Sequence, residues 1–239
     1  MKYSLCIPTM RRWAFLETYI PQYLENPFID EIVLVDETGE DFIEISAKYS
    51  SEPKIRVYQN EKRLGPFLNK VKCMKCAKNN WICLVDSDNF VDVEYFKRIT
   101  ELSPLEEDTV YSPSFAAPTF DFRNFNGLLL TKESIAEIYK TDVYLRLEML
   151  LNTGNYVLSK KAVDVLSRYE ENTLSSSCST IDVLYANYLL LQNRFKLYIV
   201  PDLTYTHVVH EGSIFLQESN EKRNINMYMG SLFRSYIEE

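Results

Sequence analysis

The sequence predicts an α/β fold built on a doubly wound, mostly parallel sheet. Apolar runs of strand length recur at residues 3–7, 31–36, 54–58 and 81–85, helical patterns fill the intervals between them, and polar or turn-forming residues close the strands. The chain has 239 residues, 46% of them apolar and 13% aromatic, enough for a sizeable core, and only six glycines, which argues against linkers or a disordered tail. One domain over residues 1–239 is expected.

The run 3–7 reads as a buried strand ended by Pro8-Thr9, with a helix following over about 13–24. Residues 31–36, Glu-Ile-Val-Leu-Val-Asp, form a second buried strand, 41–49 a helix and 54–58 a third strand. Gly65-Pro66 opens a long helix through Ala77, because proline in a first turn removes no internal hydrogen bond. The fourth strand, 81–85, runs straight into Asp86-Ser87-Asp88.

Beyond it the pattern loosens. Residues 104–126 are rich in Pro, Phe, Asp and Asn and read as loop with short strands at the sheet edge; helical periodicity returns over 132–151. A strand at 154–158, a helix at 160–169 capped by Ser159 and a Ser-rich loop at 173–180 come next. A helix then runs from Asp182 through Leu191, a strand covers 195–200 up to Pro201, and the 205–209 segment leads into a polar helical tail. Met227, Met229, Leu232, Phe233 and Ile237 give that tail an apolar face for packing at home.

A net charge of −8 argues against broad nucleic-acid binding, which needs a basic surface to displace counterions. The basic cluster Lys70, Lys72, Lys75 and Lys78 reads as a solvated helix face. Cys6, Cys73, Cys76, Cys83 and Cys178 are odd in number and fall mostly in strand or helix patterns, so they read as reduced thiols, with Cys73 and Cys76 serving packing. The first apolar run is too short for a signal peptide and no stretch reaches the ~20 apolar residues of a membrane span. A soluble, cytoplasmic protein is expected, with peripheral contact to a membrane left open.

Ligands of doubly wound sheets sit outside the carboxyl ends of the strands, and Thr9, Asp36 and Asp86 all fall there. Two carboxylates one residue apart after a buried strand can share a cation, one directly and the other through water or a ribose. Hard oxygen donors of this kind suit Mg²⁺ or Mn²⁺.

Four segments, taken in order, carry a resemblance: Cys6-Ile7-Pro8-Thr9; Leu34-Val35-Asp36-Glu37; the stretch from Asn60 through Gly65 to Lys70 and Ala77; and Leu84-Val85-Asp86-Ser87-Asp88. Together they resemble the nucleotide half of a family 2-type inverting glycosyltransferase with the GT-A fold. The similarity continues more thinly to about residue 215, through residues 154–160, Asp182, and Pro201 to His210-Glu211-Gly212-Ser213.

The resemblance implies a nucleotide-sugar-binding half at about 1–90, an acceptor and catalytic half at about 91–215, and a helical tail at about 216–239. It implies donor contacts, to a UDP-sugar by preference, from Pro8, Thr9, Arg11, Asp36, Glu37, Lys70, Asp86 and Ser87. Asp86 and Asp88 would hold the Mn²⁺ or Mg²⁺, joined by His207 or His210, the chain's two histidines. Asp182 would act as general base, deprotonating a hydroxyl of a glycan or glycoconjugate acceptor on the face opposite the leaving nucleotide, with inversion.

The chain departs from the family pattern in having Ile181-Asp182 for the usual Glu-Asp and Arg11-Arg12 for the usual Tyr-Asn. Two other readings compete. A nucleotidyltransferase would begin with a Gly-rich loop, which is absent after Ile7. A non-catalytic nucleotide- or glycan-binding module would have no need of Asp86, Asp88 and Asp182 together.

Overall fold

The computed structural model describes residues 1–141, 144–169, 181–211 and 220–238. The first strand, β1 (Tyr3–Thr9), is buried at every position, as an apolar run covered on both faces should be. It pairs in parallel with β2 (Ile29–Asp36) on one side and β4 (Trp81–Leu84) on the other, and β2 pairs in parallel with β3 (Ile55–Gln59). The intervening helices are α1 (Trp13–Glu25), α2 (Glu40–Tyr49) and α3 (Pro66–Lys75).

Strand alternation divides the core between the two faces. Tyr3, Leu5 and Ile7 of β1 share one cluster with Leu16 and Ile20 of α1, whereas Cys6 joins Phe67, Val71 and Cys73 of α3 in the other. This is the double winding expected from the sequence. It aims the carboxyl ends of β1, β2 and β4 at one edge of the molecule.

The remaining elements are α4 (Val93–Glu101), β5 (Thr109–Ala117), β6 (Phe120–Asp121), β7 (Leu129–Leu130), α5 (Lys132–Tyr139), α6 (Tyr144–Leu151), β8 (Val157–Ser159), α7 (Lys160–Leu166), α8 (Asp182–Gln192), β9 (Lys196–Thr206) and α9 (Asn220–Glu238). Among the described residues the sheet has nine strands in the order β3-β2-β1-β4-β8-β5-β9-β7, with β6 paired to β5. It is parallel from β3 to β4 and mixed beyond, because β8 enters antiparallel to both β4 and β5.

Several expectations change. Residues 104–126 do not form an edge loop: β5, inside them, is a nine-residue strand between β8 and β9. Pro113 hides it in the sequence, and Pro113 lies where the β5–β9 register shifts. There β9 carries Pro201, Asp202 and Leu203 opposite Ser114, with Asp202 at φ 54°. A bulge of this kind is where a sheet accepts a proline, which has no N–H to donate. For the same reason β9 is one strand of 11 residues across Pro201, not two segments.

The single helix expected over 132–151 is two, α5 ending at its C-cap Lys140 and α6 beginning at Tyr144. Helix α4 has no counterpart among the expected elements; Asp92 caps it by accepting from the Tyr95 N–H at 3.0 Å. Ser159 caps α7 as expected, through the Ala162 N–H. The tail helix α9 buries Met229 and Phe233 but turns Met227 outward, 74% exposed. The loop 173–180, with Cys178, lies outside the described residues, as do Gly212 and Ser213. Cys6, Cys73 and Cys83 are buried free thiols and Cys76 is partly buried. No helix among the described residues is long and apolar enough to cross a membrane.

One carboxylate of α2 sets the start of α1. Arg12 at the N-cap makes no side-chain cap bond of its own. Instead the buried Asp41 accepts from the Arg12 and Trp13 N–H groups, each at 2.9 Å, and from the Thr9 hydroxyl. Removing it strands donors that α1 cannot satisfy internally. Asp41→Ala is expected to cost about 2 kcal/mol and to lower Tm by about 4–8 °C in a thermal melt, on cap loss plus desolvation; a shift under a degree would show that Asp41 does not hold this helix.

Candidate functional site

A cavity of about 650 Å³ opens at the carboxyl ends of β1, β2 and β4, with α6, α8, α9 and the segment after β9 forming its far wall. Of the residues expected to contact donor or metal, Pro8, Thr9, Glu37, Lys70, Asp86, Ser87, Asp88 and His207 line it, and so does Asp182, the expected base. Thr9 offers the cavity no free hydroxyl proton, since that proton goes to Asp41.

Two of the expected donor contacts are not brought to the cavity. Asp36 has no solvent exposure, and its carboxylate accepts from the Thr38 N–H at 3.1 Å and the Phe42 N–H at 2.9 Å. It is committed to the start of α2. Its neighbour Glu37 takes the cavity side, fixed by the Leu64 N–H at 2.7 Å and the Asn60 amide at 3.2 Å. Arg11, at φ 58°, points away to an exposed ion pair with Glu40 at 2.9 Å. That left-handed turn sends Arg12 inward in its place, with Nε 3.5 Å from Asp88 Oδ2.

Lys70 is no part of a solvated basic face. Its Nζ lies 2.8 Å from Asp86 Oδ1 and 2.6 Å from Asp182 Oδ2, with only 13% of the side chain exposed. Burial works against the ammonium, but the charges of Asp182 and Asp86 outweigh it and raise the Lys70 pKa, so the lysine stays protonated at neutral pH. One cation thereby joins the end of β4 to the first residue of α8.

The two histidines separate. His210 Nε2 lies 3.0 Å from Asp88 Oδ2, and its ring packs 5.2 Å from that of Phe15. His207 packs instead against Phe120, at 5.4 Å between ring centres, and Tyr205, and its buried Nδ1 has no hydrogen-bond partner among the described residues. Burial pushes the His207 imidazole below its ordinary pKa despite the opposing pull of Asp88 and Asp86, so it is neutral near pH 7.

Among the described residues no three His, Cys, Asp or Glu side chains converge on one point. Cations of the Mg²⁺ type, however, take one or two protein carboxylates and complete their shell with substrate phosphates and water. Asp88 Oδ2, which lines the cavity, and His210 Nε2, 3.0 Å behind it, are a donor pair that fits such a shared ion. The Asp86 carboxylate is turned toward Lys70 instead.

Sequence reasoning missed Arg63, Glu148, Asn152 and Asn155, all of which line the cavity. Glu148, on α6, is a second carboxylate on the far wall and accepts from the Tyr139 hydroxyl at 3.1 Å. Its mid-helix position carries no local signal. Asn155 sits at φ 61° just before β8 and accepts from the Asp86 N–H at 2.7 Å; its signal is the Gly-Asn pair ahead of a strand, since asparagine tolerates the left-handed region.

Comparison with known proteins agrees with this geometry. The chain is 33% identical over 87 residues to the uncharacterized protein MT1568 of Mycobacterium tuberculosis (strain CDC 1551 / Oshkosh), a match covering 36% of this chain and 27% of that one. The fold is similar to S. aureus TarS 1-349 in complex with UDP-GlcNAc, at a TM-score of 0.68 and 15% identity over 97% of this chain and 66% of that one. It is also similar to the mannosyltransferase PcManGT from Pyrobaculum calidifontis in complex with GDP-Man and Mn²⁺, at 0.59 and 12% identity over 89% of this chain and 58% of that one. The family description "Glycosyl transferase family 2" matches residues 4–166, from β1 to the end of α7. The chain spans 27% of the length of the curated relative it matches and 66% of that TarS chain. A cavity at the carboxyl ends of a doubly wound sheet, the relatives' architecture and a match over most of the chain lead to one conclusion: the chain belongs to glycosyl transferase family 2 and has the GT-A fold.

Proposed function

We propose that the protein transfers a sugar from a nucleoside diphosphate donor, UDP-linked by preference, to a hydroxyl of a glycan or glycoconjugate, with inversion and with Asp182 as general base. The observation that carries this reading is the Lys70 bridge, 2.8 Å to Asp86 and 2.6 Å to Asp182, because it stands an acceptor-side carboxylate one ammonium away from the motif that follows β4. The UDP-GlcNAc bound to TarS and the GDP-Man and Mn²⁺ bound to PcManGT support a nucleotide-sugar donor and a divalent cation.

On this reading residues 1–90 hold the donor and 91–215 the acceptor. A cation held by Asp88 and His210 would supply Lewis-acid stabilisation of the departing diphosphate. Arg12 and Lys70 add fixed positive charge beside the same place. As the acceptor oxygen attacks the anomeric carbon, its proton passes to the Asp182 carboxylate. The bond from that carbon to the phosphate oxygen breaks, and its electron pair leaves with the nucleoside diphosphate. Lys70 holds Asp182 Oδ2, which leaves the other oxygen to face the hydroxyl. Val183, Leu184 and Phe233 line the same wall and exclude water that would compete as acceptor.

Calorimetric titration of UDP and of GDP, each with and without Mn²⁺, tests the donor site. UDP affinity should rise at least about tenfold on adding the cation, the coupling typical of a phosphate-bridging ion. Binding of neither nucleotide under either condition would sink the reading.

A further inference from the structure

We infer that Asn155 is a positioning residue for the cation-binding turn, fixing the backbone at Asp86 so that the turn presents Asp88 to the cation while Asp86 keeps Lys70; this rests on the transferase reading above. Asn155 is 2% exposed and lies at the meeting point of four elements. Its side-chain oxygen accepts from the Asp86 N–H at 2.7 Å, just past the end of β4. Its own carbonyl accepts from the Tyr95 hydroxyl on α4, and its side-chain amide engages the Tyr205 hydroxyl on β9. Tyr95 and Tyr205 are themselves buried. A buried residue held from three sides has one orientation available, and it passes that orientation to the turn carrying the two carboxylates.

The backbone conformation is part of the device. At φ 61° Asn155 can direct its carbonyl to Tyr95 and its side chain to Asp86 at once, and asparagine is one of the few residues that enter this region without a large steric penalty. Gly154 clears the approach: a Cβ there would lie 3.1 Å from Val183 Cγ2 and 3.7 Å from Asp86 Oδ2. The other end of the motif turn is tied by a second asparagine. Asn89 donates its N–H to the Asp86 carbonyl at 2.9 Å, and its side chain accepts from the Val208 N–H at 3.1 Å. Asp86 to Asn89 is therefore pinned at both ends, with Asn155 holding the end nearer β4.

Asn155→Gly removes the side chain while keeping the left-handed backbone accessible. The measurement is the Mn²⁺ concentration giving half-maximal UDP binding, taken beside UDP affinity in the absence of cation and a thermal melt. The expected result is a rise of about ten- to thirtyfold in that Mn²⁺ concentration, in the range seen when groups orienting a metal ligand are removed, with cation-free affinity changed less than about twofold. A parallel fall in both affinities, or no change in either, overturns the inference, because a merely structural residue would not act on the cation-dependent part alone. Should the glycine variant not fold, Tyr205→Phe, which removes a hydroxyl that engages Asn155, carries the same expectation at about threefold; an unchanged Mn²⁺ requirement there overturns it equally. A wild-type chain that binds no nucleotide with or without cation overturns the transferase site itself, and the inference with it.

Discussion

Asp182→Asn is expected to lower kcat by about 10³-fold, the middle of the range for removing a general base, while donor affinity stays within about twofold. The amide is nearly isosteric with the carboxylate and can still accept from the Lys70 ammonium, which in any case keeps Asp86 at 2.8 Å. The site therefore retains its shape and most of its charge balance. What it loses is an oxygen able to take a proton. Steady-state turnover of the donor with and without acceptor, beside nucleotide titration, checks both halves of the expectation. A kcat within tenfold of wild type would move the base to Glu148, the other carboxylate on that wall.

The second large effect is expected at Asp88. Asp88→Ala should lower UDP affinity in saturating Mn²⁺ by about 100-fold, at or beyond what loss of a supporting group costs a metal site. Without cation the same variant should bind UDP as well as wild type or slightly better, because an unneutralised Asp88 repels the diphosphate. Its carboxylate is 20% exposed and pairs with His210 and with Arg12, which lines the cavity, so the fold is not at stake. Calorimetry in chelator and in Mn²⁺ separates the two arms. Equal loss in both would mean that Asp88 touches the donor directly and holds no ion.

What could be read from the sequence follows from how local each signal is. Strands β1, β2 and β4 carry apolar runs that give way to polar residues at Thr9, Asp36 and Asp86, and Gly65-Pro66 marks the start of α3, so the donor half is written in short stretches. Strand β5 was hidden because its proline is tolerated only by a bulge whose other half lies about ninety residues later, in β9. The site divides the same way. The motif Asp86-Ser87-Asp88 and Asp182 lie at element ends that periodicity reveals, whereas Asp36 and Glu37 are neighbours that only the bonds of Thr38, Phe42 and Leu64 tell apart. Arg11 and Arg12 exchange roles through one positive φ, and no side-chain property of arginine announces that.

The cap that Asp41 places on α1 bears on how a diphosphate can be held at all. In many doubly wound sheets the free N–H groups of the first helix, backed by its dipole, form a fixed seat for phosphate. Here that seat is filled from within by a carboxylate of the same chain, which accepts the N–H groups of Arg12 and Trp13 and turns the local field negative. On the proposed function, attraction for an anionic leaving group would then come from long side chains and from an ion drawn out of solution. Such forces weaken as salt is added and depend on the supply of that ion, so on that reading the ionic composition around the protein would control its grip on the donor.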